Sequence, residues 1–187
     1  MLKIFRCVVC KENSFDIICD SCQKKFLTPH IKVIDGVLSF YDYEEISFLI
    51  KYKYSKFGSR IYNILAKNSF FIFAKEIKEE FFIIPIDDNV EKGYSHTAIL
   101  ANSMKSSFLK PLFGKLIARN RVEYAGKDLE FRLNNKRDFE YRGDEGIDVI
   151  LVDDIATTRT TLNEAKDVLK KYNVNVYLSV VLADMRR

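Results

Sequence analysis

Glycine and proline are scarce in this chain, at seven and three among 187 residues. Long flexible linkers draw on both, so nearly all of the chain is expected to be packed structure. Uninterrupted apolar runs are short as well. Those at 81–86 and 149–152 fall far below the ~18 residues that a membrane-spanning helix needs. The opening residues hold no apolar run long enough for a secretory signal. Histidine occurs twice, at His30 and His96. Neither sits at metal-ligand spacing, and structural or solvated roles are expected for both. Cysteine is absent after Cys22. Together these absences point to a reduced, cytoplasmic protein without a membrane span.

What remains is ordinary globular composition, 48% apolar and 30% charged, enough for one real core and a small appendage. The formal net charge of +4 decides little, but its distribution is uneven. Residues 51–67 hold Lys51, Lys53, Lys56, Arg60 and Lys67 and no acid. Residues 105–127 hold six cations, among them Arg119 and Arg121, against Glu123 alone. Acids gather at 144–154 instead. Such polarity suits a polyanionic partner, and it equally fits basic, solvated helix faces.

The four cysteines, Cys7, Cys10, Cys19 and Cys22, read C-x2-C-x8-C-x2-C. Each C-x2-C turn aims two thiolates at one point, and two such turns complete a tetrahedron around Zn²⁺. Two disulfides would need an oxidising compartment. A redox pair uses one C-x2-C near a βαβ pattern, not two in tandem. One structural zinc per chain is therefore expected. Four thiolates leave no open coordination position, and so small a segment has too little core to fold without the metal. The apolar residues 15–18 would form a short strand of a zinc ribbon. Residues 1–30 carry five cations and three acids. Four thiolates with Zn²⁺ bring that module close to neutral, which argues against a nucleic-acid-binding finger.

Residues 1–40 are read as this zinc module and a connector, with short extended pieces over 28–43. Residues 41–187 are read as the larger domain. Helical periodicity covers 44–54 and resumes after Gly58, where Ile61, Ile64, Leu65 and Ile72 fall near one face. A buried strand is expected at 81–86 and a helix at 95–104. Residues 106–146 read as irregular and polar, with a short helix at 129–134. A strand at 147–152, a helix at 161–172 and a strand at 174–182 complete the chain. This alternation argues for an α/β fold with a parallel sheet.

The segment 149–162, VILVDDIATTRTTL, carries the most chemistry. A buried strand runs into Asp153 and Asp154. A hydroxyl-rich turn with Thr157, Thr158, Thr160 and Thr161 then leads into a helix N-terminus. Backbone N–H groups and the positive end of the helix dipole favour an anion there. The threonines can donate to phosphate oxygens, and the carboxylates can accept from vicinal ribose hydroxyls. Such sites lie at the carboxyl ends of parallel strands. The plainer reading is a capped helix after a strand that ends in two acids.

This segment closely resembles the loop of type I phosphoribosyltransferases that binds phosphoribosyl pyrophosphate (PRPP), V-D-D-x-x-T-T-G-x-T. The resemblance implies a phosphoribosyltransferase-like parallel sheet flanked by helices, beside the small zinc ribbon. It implies that Asp153, Asp154, Ile155, Ala156, Thr157, Thr158, Arg159, Thr160 and Thr161 bind PRPP. The acids would meet the ribose 2′- and 3′-hydroxyls, the turn would hold the 5′-phosphate, and Mg²⁺ would arrive with PRPP. Arg159 stands where the family has glycine. Either it is strained at positive φ and crowds the phosphate, or its guanidinium adds a charge-assisted contact. Thr157 stands where hypoxanthine-type members carry a carboxylate base.

The chain as a whole resembles the ComF family of competence proteins. The resemblance rests on both C-x2-C pairs, on Lys51-Tyr52-Lys53-Tyr54, on Ile84-Pro85-Ile86, on KGYSHTAILA at 92–101, on EFRLNN at 130–135, on the PRPP loop and on LADMR at 182–186. It departs from the family at Lys92, Ser95, His96 and Tyr124. It implies a pyrophosphate loop after Ile86 with Asp87, Lys92 and Gly93, and a mobile loop within 106–146 with Arg132 as a ligand. It also implies a role in natural transformation, handling imported single-stranded DNA in the cytoplasm alongside DNA-uptake or recombination proteins. Basic residues interleaved with aromatics suit a single strand, with Lys51, Lys53, Tyr54, Arg119 and Arg121 as the contacts. The same aromatics also fit a helix core. Three expectations follow: a nucleic-acid-handling protein that binds PRPP or a related 5′-phosphate, a phosphoribosyltransferase with an unidentified acceptor, or an adaptor whose PRPP site Arg159 has disabled.

Overall fold

The computed structural model of the chain describes residues 4–91, 93–120, 122 and 129–186. It opens with a hairpin of β1 (Phe5–Arg6) and β2 (Asn13–Ser14), followed by helix α1 (Asp20–Phe26). The strand expected at 15–18 lies at Asn13–Ser14 instead. The later residues bend because Ser14 Oγ accepts from the Asp16 N–H at 3.2 Å and the Asp16 carboxylate accepts from the Ile17 N–H at 2.7 Å. The bend sends Ile17 and Ile18 into the core.

Next come β3 (Lys32–Ile34) and β4 (Val37–Asp42), joined by Asp35 and Gly36. Both turn residues have positive φ, 47° and 69°, as a two-residue hairpin turn requires. A capping box between Asp42 and Glu45 starts helix α2 (Tyr43–Ile50), which runs on into a single 3₁₀ turn at Lys51–Tyr54. Helices α3 (Gly58–Asn68) and α4 (Phe70–Ala74) follow. A Cβ on Gly58 would lie 2.7 Å from the Tyr52 carbonyl oxygen and 2.8 Å from that of Lys53. Only glycine lets α3 begin this close beneath the 3₁₀ turn.

The remainder is β5 (Phe81–Pro85), α5 (His96–Ser103), β6 (Leu109–Pro111), β7 (Leu116–Ala118), α6 (Leu129–Asn134), β8 (Phe139–Tyr141), β9 (Asp148–Ala156), α7 (Thr160–Lys170) and β10 (Asn175–Asp184). The main sheet has the order β3-β4-β10-β9-β5-β6, with every pair parallel except β3 with β4. Helices flank it on both faces, so the expected α/β architecture is present. Strands β7 and β8 form a separate antiparallel ribbon.

Two stretches differ from the sequence expectation. Val37–Asp42, read as connector, pairs in parallel with β10 inside the sheet. Its first five residues are all buried, so no alternation marks it as a strand. Residues 106–146, read as irregular apart from one short helix, contain three strands of three residues each. Strands that short carry no legible period.

Two apolar clusters cover the sheet. On one face Ile150 and Val152 of β9 pack with Ile46, Leu49, Tyr62, Leu65, Phe70 and Leu100. Cys7, Ile17, Ile18, Cys22 and Leu27 belong to that same cluster, so the cysteine module shares its core with the sheet. On the other face Val149 and Leu151 pack with Leu162, Ala165 and Leu169 of α7 and with Phe139 and Tyr141 of the ribbon.

Candidate functional site

The connections around β9 and β5 diverge. Strand β9 leads through α7 to β10 on one side of it, whereas β5 leads through α5 to β6 on the other. Helix α7 covers one face and α5 the opposite one. The carboxyl ends of β9 and β5 therefore flank a topological switch point, where α/β sheets open a crevice. Pro85 is the last residue of β5 paired with β9, opposite Val152. Beyond it, β9 continues through Asp153 to Ala156, held only by β10.

That continuation gives the two carboxylates different partners, although an oxygen of each and a His96 ring nitrogen lie within 4.8 Å of one another. The sequence places them after the strand, but both lie within it, and successive strand residues face opposite sides. Asp153 shares a face with Val149 and Leu151. It lines a small pocket together with Ile155, Ala156, Thr157, Arg159, Thr160, Thr161 and Leu162. Asp154 shares a face with Ile150 and Val152 and points toward α3 and α5. Tyr62 donates its hydroxyl to Asp154 Oδ2 at 2.9 Å, Lys53 Nζ lies 2.8 Å from the same oxygen, and His96 Nε2 lies 3.8 Å away. Asp154 Oδ1 accepts from the Ile155 N–H at 3.0 Å, and Asp153 Oδ1 from the Asp154 N–H at 2.8 Å.

The electrostatics follow from this division. Burial alone would raise the Asp154 carboxyl, but the charges of Lys53 and His96 and the hydrogen bonds from Lys53 and Tyr62 hold it well below the usual carboxylate range. Burial, and then the neighbouring Asp154 charge, push the Asp153 carboxyl up to about 7. Burial drives the His96 imidazole down to about 4 despite Asp154, so His96 is neutral near pH 7. Burial opposes the Lys53 charge, yet Asp154 outweighs it and raises the ammonium above its ordinary value.

The turn after β9 delivers the threonines to the start of α7. Thr158 and Thr160 hydroxyls are 2.8 Å apart. Arg159 between them is left-handed, φ 59° and ψ 10°, so its position has the backbone that favours glycine. Neither expectation for its side chain holds. The guanidinium is engaged elsewhere. It turns under the loop and is buried against Asp184.

The loop after β5 faces the same crevice. Asp87 is left-handed, φ 49°. Its carboxylate accepts from the Ala118 N–H at 3.2 Å, from Asn89 Nδ2 at 2.7 Å and from an Arg137 guanidinium nitrogen at 3.4 Å. It thereby ties this loop to the β7–β8 ribbon. Gly93 is exposed with φ 89°. Lys92 and Arg121, and the side chain of Arg132, lie outside the described residues.

Lys53, expected as a surface contact for DNA, is instead committed to Asp154 inside the site. Arg119 is exposed but paired, with Glu140 at 3.4 Å and Asp138 at 3.8 Å. Lys51 and Tyr54 are exposed on the 3₁₀ turn. Sequence reasoning missed Tyr62, Tyr94 and Arg137. Tyr62 reads either as one of the aromatics interleaved with the basic residues or as a core residue of α3, and nothing local marks it as the donor to an acid of β9. Tyr94 donates to the Lys53 carbonyl and fixes the turn that carries that lysine. Arg137 precedes β8 in a stretch without period. Its charge lowers both Asp153 and His96.

The cysteine module fits its expected metal. The four sulfurs lie within 4.8 Å of one another. Tetrahedral Zn–S bonds of about 2.3 Å place sulfurs about 3.8 Å apart, and Cys10 Sγ and Cys19 Sγ are separated by 3.7 Å. The Cys19 N–H donates to Cys7 Sγ at 3.3 Å, a bond that supports a thiolate. No helix among the described residues is long and apolar enough to cross a membrane.

No protein-family model matches the chain, and no curated protein matches it. Among solved structures, it superposes on the UMP synthase of Leishmania donovani with 16% identity and a TM-score of 0.41, over 82% of this chain and 27% of that one. A hypoxanthine phosphoribosyltransferase of Staphylococcus aureus gives 18% and 0.41 over 66% and 62%. The adenine phosphoribosyltransferase of Leishmania tarentolae gives 13% and 0.47 over 83% and 94%. The chain thus spans about a quarter of the synthase and under two thirds of the staphylococcal enzyme. Likeness this remote says nothing about activity or ligand.

Proposed function

We propose that the crevice between β5 and β9 binds PRPP or a related 5-phosphopentose. One observation carries the reading: Asp153 and the threonine turn line a single pocket at the start of α7, at the switch point of a parallel sheet. The N–H groups and dipole of an eleven-residue helix favour the 5′-phosphate there. Asp153 is placed to accept from the pentose hydroxyls, whereas Asp154 is taken up by Lys53 and Tyr62 and acts as an internal anchor. The pyrophosphate would lie toward the loop after β5. Mg²⁺ is a hard cation that takes oxygen ligands. Asp153 offers a carboxylate of the right kind as Mg²⁺ arrives with PRPP. In the cysteine module, Cys7, Cys10, Cys19 and Cys22 would hold Zn²⁺ in a structural role.

Calorimetric titration of PRPP with Mg²⁺ into wild type and Asp153→Asn tests the proposal. Binding that weakens at least tenfold in the variant supports it, and equal affinity in a folded variant rejects it. Thr157 offers no carboxylate for an acceptor, which favours binding over transfer. Release of pyrophosphate from PRPP, in the presence of candidate nucleobases, would instead establish a phosphoribosyltransferase.

The role in natural transformation comes from the resemblance to ComF proteins. Lys51, Tyr54 and Lys56 support it by being exposed on and just after the turn that supplies Lys53 to the site. A single DNA strand laid over this turn would meet two cations and an aromatic face. Zinc, PRPP and DNA would then be handled in one cytoplasmic protein, alongside DNA-uptake or recombination partners.

A further inference from the structure

Arg159 occupies the one left-handed position of the threonine turn, where its backbone favours glycine. Its side chain shows what replaces that conformational ease. Only 4% of it is exposed. Nε donates to Asp184 Oδ2 at 3.1 Å, and a terminal nitrogen donates to the same oxygen. The other terminal nitrogen donates to the Ile34 carbonyl at 2.8 Å and lies 3.5 Å from Asp35 Oδ2. Asp35 in turn accepts from Arg186 at 2.7 Å, and the Arg186 N–H donates to Asp184 Oδ1 at 3.0 Å.

One guanidinium thus ties the turn to three separate places: the end of β10, the end of β3 and the β3–β4 hairpin turn. Two carboxylates compensate its charge, so it offers little net charge to a phosphate. A glycine at this position would leave the turn free to leave the left-handed shape, and a ligand would have to order it on binding. Here that ordering is already done by contacts outside the pocket.

We propose that Arg159 is a positioning residue that fixes the turn in its anion-binding shape before any ligand arrives. The proposal rests on the phosphate reading of the pocket. Arg159→Gly alone would strand Asp184 as a buried, unpaired charge. The informative variant is therefore Arg159→Gly with Asp184→Asn, which removes both charges in the full-length chain. Two readouts apply: amide hydrogen exchange over 157–162 without ligand, and calorimetric affinity for ribose 5-phosphate.

The expected result has three parts. The double variant recovers most of the unfolding midpoint lost in Arg159→Gly. Its turn amides nevertheless exchange at least tenfold faster than wild type, while those of β9 and β10 do not change. Its affinity for ribose 5-phosphate falls about tenfold. A purely structural role would restore affinity along with stability. Turn amides that stay as protected as in wild type, or affinity equal to wild type, would overturn the assignment. Wild type that fails to bind ribose 5-phosphate while its turn remains protected would overturn the phosphate reading instead.

Discussion

Lys53 Nζ lies 2.8 Å from Asp154 Oδ2, and both side chains are largely buried. The pair joins the 3₁₀ turn after α2 to the end of β9, with the Tyr62 hydroxyl completing the coordination of the acid. Breaking one side of such a pair leaves an uncompensated buried charge and costs about 3–5 kcal/mol. Lys53→Met should therefore destabilise the chain by about that amount in urea titrations. Lys53→Met with Asp154→Asn should regain most of it. A single variant within 1 kcal/mol of wild type, roughly the value of an exposed pair, would show that the contact is solvated.

Much of the fold was legible in the sequence. The helices at 58–68 and 160–170 announce themselves by period, and the β9 and β10 strands by β-branched apolar runs. The cysteine spacing located the four-sulfur cluster, and the D-D-x-x-T-T pattern the strand end and turn that line the pocket. Three things were hidden for physical reasons. The length of β9 depends on its pairing with β10, a long-range contact, so nothing local shows that Asp153 and Asp154 take different partners. Lys53 looks like any surface lysine until Asp154 is brought beside it by folding. The direction of the Arg159 side chain depends on Asp184 and on the Asp35 turn, both remote in sequence. Local pattern finds the elements; which face a side chain takes is a property of their assembly.

Asp153 gives the chain a signature in pH. Its carboxyl is pushed up to about 7 in the folded state, against about 3.9 when unfolded. Its contribution to stability is present in full below about pH 4 and is lost as pH rises through about 7. Asp154, held low, contributes in the opposite sense and only in more acidic solution, where its loss begins as pH falls below its unfolded value. The His96 imidazole, held at about 4 when folded against about 6.5 when unfolded, adds stability as pH rises over the lower part of this range. Urea unfolding from pH 5 to pH 8 should therefore be read as a difference: wild type should lose stability relative to Asp153→Asn as pH rises. An unchanged slope in the variant would mean that Asp153 is solvated and ionises normally.

The cysteine module should influence more than its own residues. Ile17, Ile18 and Leu27 are buried in the cluster that also holds Tyr62, the donor to Asp154. Arg60 of α3 lies over the Phe5 ring at 4.7 Å, and Asn68 donates to Gln23 at 3.1 Å. Purified protein should contain one zinc per chain. Removing it with a chelator should uncover the face of α3 that packs on the cysteine module, and each apolar side chain exposed should cost about 1.5–3 kcal/mol. Thermal unfolding followed by circular dichroism should then shift as a single transition to lower temperature. A separate early transition, with the main midpoint unmoved, would mean that the module and the sheet unfold independently.

Binding of single-stranded DNA should depend on the exposed residues of the 3₁₀ turn and not on Lys53. Neutralising about two phosphates through Lys51 and Lys56 gives log K against log salt a slope of about −1.4 for a single strand. Lys51→Ala should reduce that slope by roughly 0.7. Lys53→Ala should leave the slope nearly unchanged, because Asp154 already neutralises the ammonium. Tyr54 is half exposed, with the Lys53 ammonium 5.6 Å from its ring centroid. If a base stacks on that ring, Tyr54→Ala should cost about 1–3 kcal/mol with no change in slope. Fluorescence anisotropy with a labelled oligothymidylate at several salt concentrations separates these effects. A slope that drops with Lys53→Ala and not with Lys51→Ala would place the strand in the crevice itself, with Lys53 released from Asp154 to a phosphate.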